Sequence, residues 1–351
     1  MNIYQDNGYI DFNAIHDFMN EKNIPYCFIV GQRGTGKSTS GMIHLIEQKE
    51  PFILFRLSVK EIKMNLNPEY NCYNEINDML KRNIYFKKIP NVDNDLFIMS
   101  DSEQIGMATA LDTFGHNRGV SMQKYTLAFL DEFIPEDTIR KTKGEGLALK
   151  QSFETINRNR ELQGRKSLKM ICCANANNLN NEILLDFNLI PMFEFTTKKE
   201  YDYMVKDKIL LINTQNSPIS KLKAETDLYK SGAAQGSFRD MALYNRFSRH
   251  YSGNVDTVTL NKSFEMKFIY KNLLFLRGPE FWYVTEPVDI VINKVKGNIN
   301  KIEIYGDSNY EEVRIRRAYY YLTELYYNEH IKFERSDLEL RFINLFRLDK
   351  K

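Results

Sequence analysis

The sequence predicts an α/β protein with a mainly parallel sheet covered by helices on both faces, followed by a linker and a small α+β domain. Over residues 1–212, apolar runs typical of strands alternate with helical stretches. Small and polar residues then replace the apolar runs between 213 and 256, and turn-linked strands precede two helices in 257–351. Alternating strands and helices favour parallel βαβ units. We therefore predict three segments with the boundaries 1–212, 213–256 and 257–351.

Composition limits the class of protein without identifying it. The chain has 351 residues, of which 43% are hydrophobic and 27% charged, as expected of a globular protein. A net charge of +2 neither requires nor excludes a nucleic-acid partner. No apolar run approaches the roughly 18 residues that a membrane span needs, and the amino terminus lacks a signal-peptide pattern. We expect a cytosolic protein with no membrane partner and with reduced cysteines.

The predicted elements follow chain order, beginning with an amphipathic helix over residues 13–22. The strands expected in the first segment are Tyr26–Val30, Phe52–Leu57, Leu96–Met99, Thr126–Leu130, Leu168–Cys173, Met192–Phe195 and Ile209–Ile212. The strands expected in the last segment are Phe264–Leu276, Phe281–Thr285, Val288–Lys294 and Lys301–Tyr305. Two helices then open on the capping boxes Ser308-x-x-Glu311 and Ser336-x-x-Glu339.

A glycine-rich stretch follows the first predicted strand. Gly31-Gln-Arg-Gly-Thr-Gly-Lys-Ser38 fits G-x-x-x-x-G-K-[ST] at every position, and a helix is expected over Thr39–Glu47. In such a loop, backbone N–H groups surround the phosphates, the lysine reaches the β- and γ-phosphates, and the serine ligates Mg²⁺. The stretch predicts a P-loop site for ATP and Mg²⁺, whose residues are Gly31, Gln32, Arg33, Gly34, Thr35, Gly36, Lys37, Ser38 and Thr39.

A second motif is the apolar run Thr126–Leu130, which ends in Asp131 and Glu132. Asp131, with Ser38, is predicted to hold Mg²⁺, and Glu132 to act as the general base on the attacking water. An ordinary strand end with solvated acids is the alternative, but the preceding phosphate loop favours the functional interpretation. Leu96–Met99 is a candidate for an added strand between the two motif strands. Such a strand, with the Asp-Glu pair, marks the additional-strand, catalytic-glutamate branch of P-loop ATPases.

A third motif is the strand Leu168–Cys173, which is followed by Asn175. In the predicted architecture an amide at this position lies beside the γ-phosphate and can sense hydrolysis. Asparagine is also a common turn residue, so a purely local role remains the alternative.

Arginines are candidates to stabilise the charge that develops during phosphoryl transfer. Arg33 lies within the phosphate loop and could act in the same subunit. Arg158 and Arg160 are expected at the polar end of a helix over Leu147–Leu162, where one of them could reach a neighbouring subunit. Arg118, on a glycine-flanked loop, is a further candidate. A solvated surface position is the alternative for each.

These motifs resemble a known family. Gln32-Arg-Gly-Thr-Gly-Lys-Ser38 is similar to the arginine-bearing phosphate loop of phage terminase-type motors, Phe129-Leu-Asp-Glu-Phe133 to their acidic strand, and Cys173-Ala-Asn-Ala176 to their sensor segment. The length, the polar linker and the small last domain resemble the DNA-packaging (encapsidation) ATPases of small short-tailed bacteriophages with protein-primed genomes, relatives of terminase large subunits. The resemblance is specific over about 25–212 and loose beyond it.

The resemblance implies a homomeric ring, expected to be a pentamer, that threads double-stranded DNA into an empty prohead at its portal, or connector. A structured RNA is a candidate intermediary at that portal. Such a motor would act in the host cytoplasm, transiently at the portal vertex, and would be absent from the mature virion. A replicative helicase or helicase loader, or a nucleotide-gated assembly module, are the competing functions.

The last segment departs from terminase large subunits, whose carboxy-terminal nuclease clusters metal-binding carboxylates. Asp289 and Glu303 do not assemble into a convincing two-metal cluster from the sequence, so we expect no nuclease activity. A vestigial RNase H-like nuclease fold is one candidate for this domain. The basic run Arg314-Ile-Arg-Arg317 could follow a phosphate backbone, or be a solvated helix face.

Overall fold

The computed structural model describes residues 1–117, 121–136, 144–231, 236–245, 247, 254–306 and 308–348. The chain divides into two compact units, Met1–Arg249 and His250–Lys351. The first unit therefore includes most of the segment predicted as a linker, which contains short helices. Among the described residues no helix is both long and apolar enough to cross a membrane.

The first unit is built on a nine-stranded sheet. Its strands are β1 (Tyr26–Val30), β2 (Phe52–Arg56), β3 (Ile84–Lys88), β4 (Leu96–Ser100), β5 (Glu103–Ala110), β6 (Leu127–Asp131), β7 (Lys169–Ala174), β8 (Tyr203–Lys206) and β9 (Ile209–Asn213). The order is β3-β4-β5-β2-β6-β7-β1-β9-β8. Strands β5, β2, β6, β7, β1 and β9 are parallel, whereas β4 and β8 pair antiparallel at the two sides.

Helices pack on this sheet and complete the unit. They are α1 (Phe12–Glu21), α2 (Lys37–Glu47), α3 (Val59–Met64), α4 (Asn74–Leu80), α5 (Glu145–Asn157), α6 (Glu182–Asp186), α7 (Leu189–Lys199), α8 (Ile219–Ala224), α9 (Asp227–Lys230) and α10 (Gly236–Tyr244). Strand β6 is buried along its whole length, as expected of a strand covered on both faces. Helix α2 lies close to it, because a Cβ added at Gly41 would come within 2.5 Å of Phe129 Cζ.

Several expectations for this unit were wrong. The run Met192–Phe195 is part of helix α7, since its buried residues recur at helical spacing and a short apolar run does not distinguish the two structures. The predicted helix Leu147–Leu162 ends at Asn157, because Arg158 and Asn159 adopt positive φ angles of 38° and 56°. Strand β4 does not lie between the two motif strands; β7 does, pairing with β1 on one side and β6 on the other.

The second unit has a five-stranded sheet of order β13-β10-β11-β12-β14. Its strands are β10 (Glu265–Tyr270), β11 (Leu273–Arg277), β12 (Trp282–Thr285), β13 (Glu303–Tyr305) and β14 (Ile331–Phe333), and its helices are α11 (Asp289–Lys294), α12 (Asn309–Ala318), α13 (Leu322–Tyr327) and α14 (Ser336–Phe346). The first three strands form an antiparallel meander; β13 pairs parallel to β10 and β14 parallel to β12. A relation to an RNase H-like fold stays a prediction.

Three details of this unit differ from the sequence prediction. The run Phe264–Leu276 is a hairpin, because Lys271 and Asn272 both take positive φ angles, which suit a two-residue turn. The predicted strand Val288–Lys294 is helix α11, in which an aspartate occupies the first turn, a position that favours helix formation. Ser308 caps α12 as predicted, accepting a hydrogen bond from the Glu311 N–H, but α14 begins at Ser336 itself.

Candidate nucleotide site

The glycine-rich loop connects β1 to α2 at the carboxyl ends of the parallel strands. Gly34 and Gly36 take φ angles of 80° and 85°, which favour glycine. Gly36 is also the N-cap of the 11-residue helix α2. A Cβ on Gly36 would lie 2.9 Å from both Ser40 Oγ and Tyr9 Cδ1, so a larger residue would collide there. The loop thus presents the positive end of a helix dipole and N–H groups, which suits an anion.

Lys37 places a buried cation under this loop. Its ammonium donates hydrogen bonds to the carbonyl oxygens of Gly31, at 3.0 Å, and of Gln32. Burial lowers the pKa of Lys37 to about 8, and the nearby Asp131 carboxylate opposes that shift. A buried ammonium held by neutral carbonyls is poorly compensated, so a phosphate oxygen would be a stronger partner.

Asp131, at the end of β6, joins two elements of the site. Its Oδ1 accepts a hydrogen bond of 2.8 Å from Ser38 Oγ, and its Oδ2 lies 2.9 Å from Arg56 Nη1. The Asp131 side chain is only 4% exposed. A serine hydroxyl beside a buried carboxylate is a set of hard oxygen donors, which suits Mg²⁺. Ser38 and Asp131 therefore place two oxygen donors side by side, as binding of the magnesium complex of a nucleoside triphosphate would require.

Arg56 was missed by the sequence reasoning. It ends β2, the strand beside β6, and its guanidinium reaches Asp131 and, at 3.9 Å, Glu132. Burial disfavours its charge, yet the two carboxylates raise the pKa of Arg56. The signal in the sequence was a basic residue that ends an otherwise apolar strand, as Asp131 ends another. Neighbouring parallel strands bring such end residues together.

Glu132 follows β6 in a left-handed conformation, with φ of 59°. This conformation is uncommon for a residue with a side chain. The Glu132 side chain is 66% exposed, in contrast to the buried side chain of Asp131. Surrounding protein atoms and then the Asp131 carboxylate raise the pKa of Glu132, which Arg56 opposes. A carboxylate with a raised pKa is a better proton acceptor, as a general base requires.

The site residues line one cleft of about 190 Å³. They come from the loop, the first turn of α2 and the ends of β6 and β7, and they include Arg33, Lys37, Ser38, Asp131, Glu132 and Asn175. Asn175 is brought here because β7 lies between β1 and β6. The Arg33 guanidinium forms an ion pair with Glu136 at the exposed edge. The sequence therefore predicted most of the residues that the fold gathers at this cleft, although their roles stay predictions.

Three residues of the predicted phosphate-binding set hold the loop itself. Thr35 Oγ1 donates to the Gln32 carbonyl oxygen at 3.2 Å. The side chain of Gln32 points to residues 213–231 and 236–245, the described parts of the segment 213–245, where its Nε2 lies 3.0 Å from Ser220 Oγ. Gly31 packs against Thr214, whose Oγ1 would lie 2.3 Å from an added Cβ.

The structure corrects the expectation for Arg160. Its side chain is 1% exposed, and Nη2 donates to the backbone oxygens of Gln123, at 2.9 Å, and Tyr125. These carbonyls precede β6, at the edge of the sheet opposite to the cleft. Arg160 is therefore an internal structural residue and does not protrude. Arg158, after the end of α5, is partly exposed at the same edge, and Arg118 lies outside the described residues.

In the second unit, the candidate acids and bases are dispersed. Asp289 begins α11, whereas Glu303 lies in β13 and pairs with Arg314 at 3.3 Å. No group of three or more His, Cys, Asp or Glu that could hold a metal occurs among the residues that the structure describes. Arg316 turns inward to the Leu345 carbonyl, at 2.9 Å, while Arg317 is exposed. The basic run is thus only partly available to a phosphate backbone.

Comparison with known proteins shows similarity to phage packaging proteins. No protein-family model matches the chain. The "DNA packaging protein" of Bacillus phage phi29 and that of Bacillus phage PZA are each 27% identical over 174 residues, which cover 47% of this chain and 46% of each relative. The chain thus spans about half the length of the curated relatives it matches.

Solved structures resemble the chain in fold over almost its whole length. The phi28 gp11 DNA packaging motor has a TM-score of 0.61 at 15% identity, covering 95% of this chain and 98% of its own. The phi29 viral genome packaging motor assembly has a TM-score of 0.59 at 17% identity, covering 99% of both chains. The curated relatives are DNA packaging proteins by name, and the two solved structures show a similar fold. The relation to terminase large subunits stays a prediction.

Proposed function

We propose that this chain hydrolyses ATP, with Mg²⁺, to drive double-stranded DNA into a viral prohead. The observation that carries the proposal is the meeting of Lys37, Ser38, Asp131 and Glu132 in one cleft at the ends of β1 and β6. The similarity to phage DNA packaging proteins supplies the process that such an ATPase would drive.

The roles follow from charge and exposure. The buried ammonium of Lys37 and the N–H groups around Gly34 and Gly36 would hold the phosphates, and Ser38 with Asp131 would hold the metal. Bound Mg²⁺ would supply charge neutralisation at the phosphates. Glu132, exposed to solvent and with a raised pKa, would orient a water and accept its proton. Arg33 would stabilise charge from within the same subunit, and Asn175 would sense the phosphate.

The assembly is proposed from the family resemblance of the sequence motifs, and the similar solved structures are named as packaging motors. We infer a homomeric ring, with five subunits as the expected number, docked at the prohead portal directly or through a structured RNA. The ring would act in the host cytoplasm during packaging. The second unit would grip or dock nucleic acid, with Arg317 as an exposed contact.

Two variants test the ATPase proposal by separating binding from turnover. Lys37→Ala should abolish nucleotide binding, because the buried cation is lost. Glu132→Gln should retain binding and lose about 10²–10⁴-fold in turnover, because the amide accepts no proton. Binding of a fluorescent ATP analogue and steady-state phosphate release would measure the two effects, and DNA packaging into proheads would test the coupled process.

Glu50→Gln is a matched control, because it makes the same change in an exposed glutamate outside the cleft. Turnover of Glu132→Gln at the rate of this control would refute the assignment of the base. ATP hydrolysis without packaging, but with strand separation on forked DNA, would favour a helicase.

A further inference from the structure

The outer side of the phosphate loop is hydrogen-bonded to residues of one segment of the chain, the segment 213–245. The four consecutive residues Val30–Arg33, from the end of β1 into the loop, are involved. Asn245 Nδ2 donates to the Val30 carbonyl oxygen at 2.9 Å, and the Lys223 ammonium donates to the Arg33 carbonyl oxygen. Between them, the side chain of Gln32 is buried in the same segment. The loop therefore faces the cleft on one side and this segment on the other.

Gln32 forms most of these hydrogen bonds. Its Nε2 lies 3.2 Å from the Gln215 carbonyl oxygen, 3.0 Å from Ser220 Oγ and 3.4 Å from the Leu243 carbonyl oxygen. An amide has only two N–H groups, so the three acceptors share them. Its Oε1 accepts a hydrogen bond from Thr214 Oγ1. At 1% exposure, each lost bond would leave a buried polar group unsatisfied.

The same residue is connected to the nucleotide side through its main chain. The Gln32 carbonyl oxygen accepts hydrogen bonds from the Lys37 ammonium and from Thr35 Oγ1. A phosphate that binds Lys37 competes with this carbonyl for the ammonium protons. A change in the Gln32 peptide group then moves a side chain whose partners all lie in the segment 213–245.

We propose that Gln32 is a positioning residue that couples occupation of the phosphate loop to the segment 213–245. This inference rests on the proposed nucleotide site and assigns Gln32 a role that its position in the loop motif does not require. Nucleotide binding would rearrange or stiffen the segment through Gln32. Conversely, losing these bonds would leave the loop less well ordered and weaken nucleotide binding.

The test compares hydrogen exchange and nucleotide affinity in the full-length chain. With a non-hydrolysable ATP analogue and Mg²⁺, exchange should slow both at residues 31–40 and in 213–245. In Gln32→Ala, the affinity should fall by about tenfold, as expected for lost buried hydrogen bonds. At saturating analogue, residues 31–40 should still be protected, but the change in 213–245 should disappear.

Ser220→Ala provides a milder variant, because it removes one acceptor and leaves the other bonds of Gln32. It should reduce the response of the segment without abolishing it, even if Gln32→Ala does not fold. Ser231→Ala is the matched control, since it makes the same change at an exposed hydroxyl that donates to the Leu228 carbonyl oxygen and not to Gln32. It should leave the coupling intact.

The outcomes separate the two proposals. An unchanged response of the segment in saturated Gln32→Ala, or no response in the wild-type chain whose loop is protected, would overturn the coupling alone. A wild-type chain whose loop gains no protection from the analogue would overturn the nucleotide site as well.

Discussion

Two arginines lie at opposite edges of the same sheet, and they differ in their partners. Arg56 ends β2 at the cleft and meets the carboxylates of Asp131 and Glu132. Arg160 follows α5 and meets the backbone carbonyls of Gln123 and Tyr125 before β6 begins. Both side chains are largely buried. A buried guanidinium beside ionised carboxylates compensates their negative charge and holds them in place. A buried guanidinium bonded to backbone carbonyls instead stabilises the local fold of the chain.

The difference between these two arginines explains why the sequence pattern alone gave a wrong prediction for Arg160. The sequence Asn157-Arg-Asn-Arg160 is polar, which is typical of an exposed helix end. Positive φ angles at Arg158 and Asn159 instead reverse the chain and return Arg160 to the protein interior. For Arg56 the sequence offered a weaker signal, a single basic residue at the end of an apolar strand, and the acids that it meets follow the neighbouring strand.

Of the substitutions that distinguish the two edges of the sheet, a change of Arg56 should have the largest effect, and that effect should be on catalysis. Arg56→Lys keeps a charge but loses the planar group that spans Asp131 and Glu132. We expect turnover to fall by on the order of 10²-fold, since small displacements of catalytic groups have such costs. The Kd for an ATP analogue should change only a few-fold. Steady-state kinetics and analogue binding measure the two quantities; a normal kcat would show that Arg56 does not position Glu132.

Changing Arg160 should instead affect stability. Arg160→Ala removes the donor to the Tyr125 carbonyl and one of two donors to the Gln123 carbonyl, so the free energy of unfolding should decrease by about 1–3 kcal/mol. Turnover per folded molecule should not change. Chemical denaturation would measure the loss. Arg165→Ala is the control, because Arg165 donates to the same Gln123 oxygen from an exposed position and should cost less. A selective loss of turnover in mixed rings would restore Arg160 as a finger.

The smallest expected effect is the uptake of a fraction of a proton by the protein when nucleotide binds. The pKa of Lys37 is lowered to about 8, so above that pH the free protein holds a neutral amine. Phosphate binding requires the ammonium and raises this pKa. Binding should therefore take up a proton fraction at pH 8.5 and almost none at pH 7, and affinity should fall severalfold from pH 8 to 9.

Calorimetry in two buffers of different ionisation heat would measure this uptake. Lys37→Arg is the control, because arginine stays charged over the range. Equal uptake in the two proteins would show that another group is responsible. At the opposite edge, Arg160→Ala should leave the uptake unchanged.

The sequence by itself predicted which residues of the loop and of the acidic strand meet at the cleft. Gly31–Ser38 and Asp131-Glu132 are local patterns, and their residue types are required by phosphate and metal binding wherever they occur. It also determined most parallel strands, because runs buried on both faces are continuously apolar. Short runs such as Met192–Phe195 were not decided, since their burial is the same in a helix and a strand.

Only the tertiary structure decided which distant residues meet. The insertion of β7 between β1 and β6 brings Asn175 to the cleft, and the pairing of β2 with β6 brings Arg56 to Asp131. The described residues of the segment 213–245, which has the composition of a linker, include all the side-chain hydrogen-bond partners of Gln32 behind the loop. These contacts join residues that are far apart in the chain. They are fixed by the order of the strands and by burial, and neither leaves a periodic signal in a single sequence.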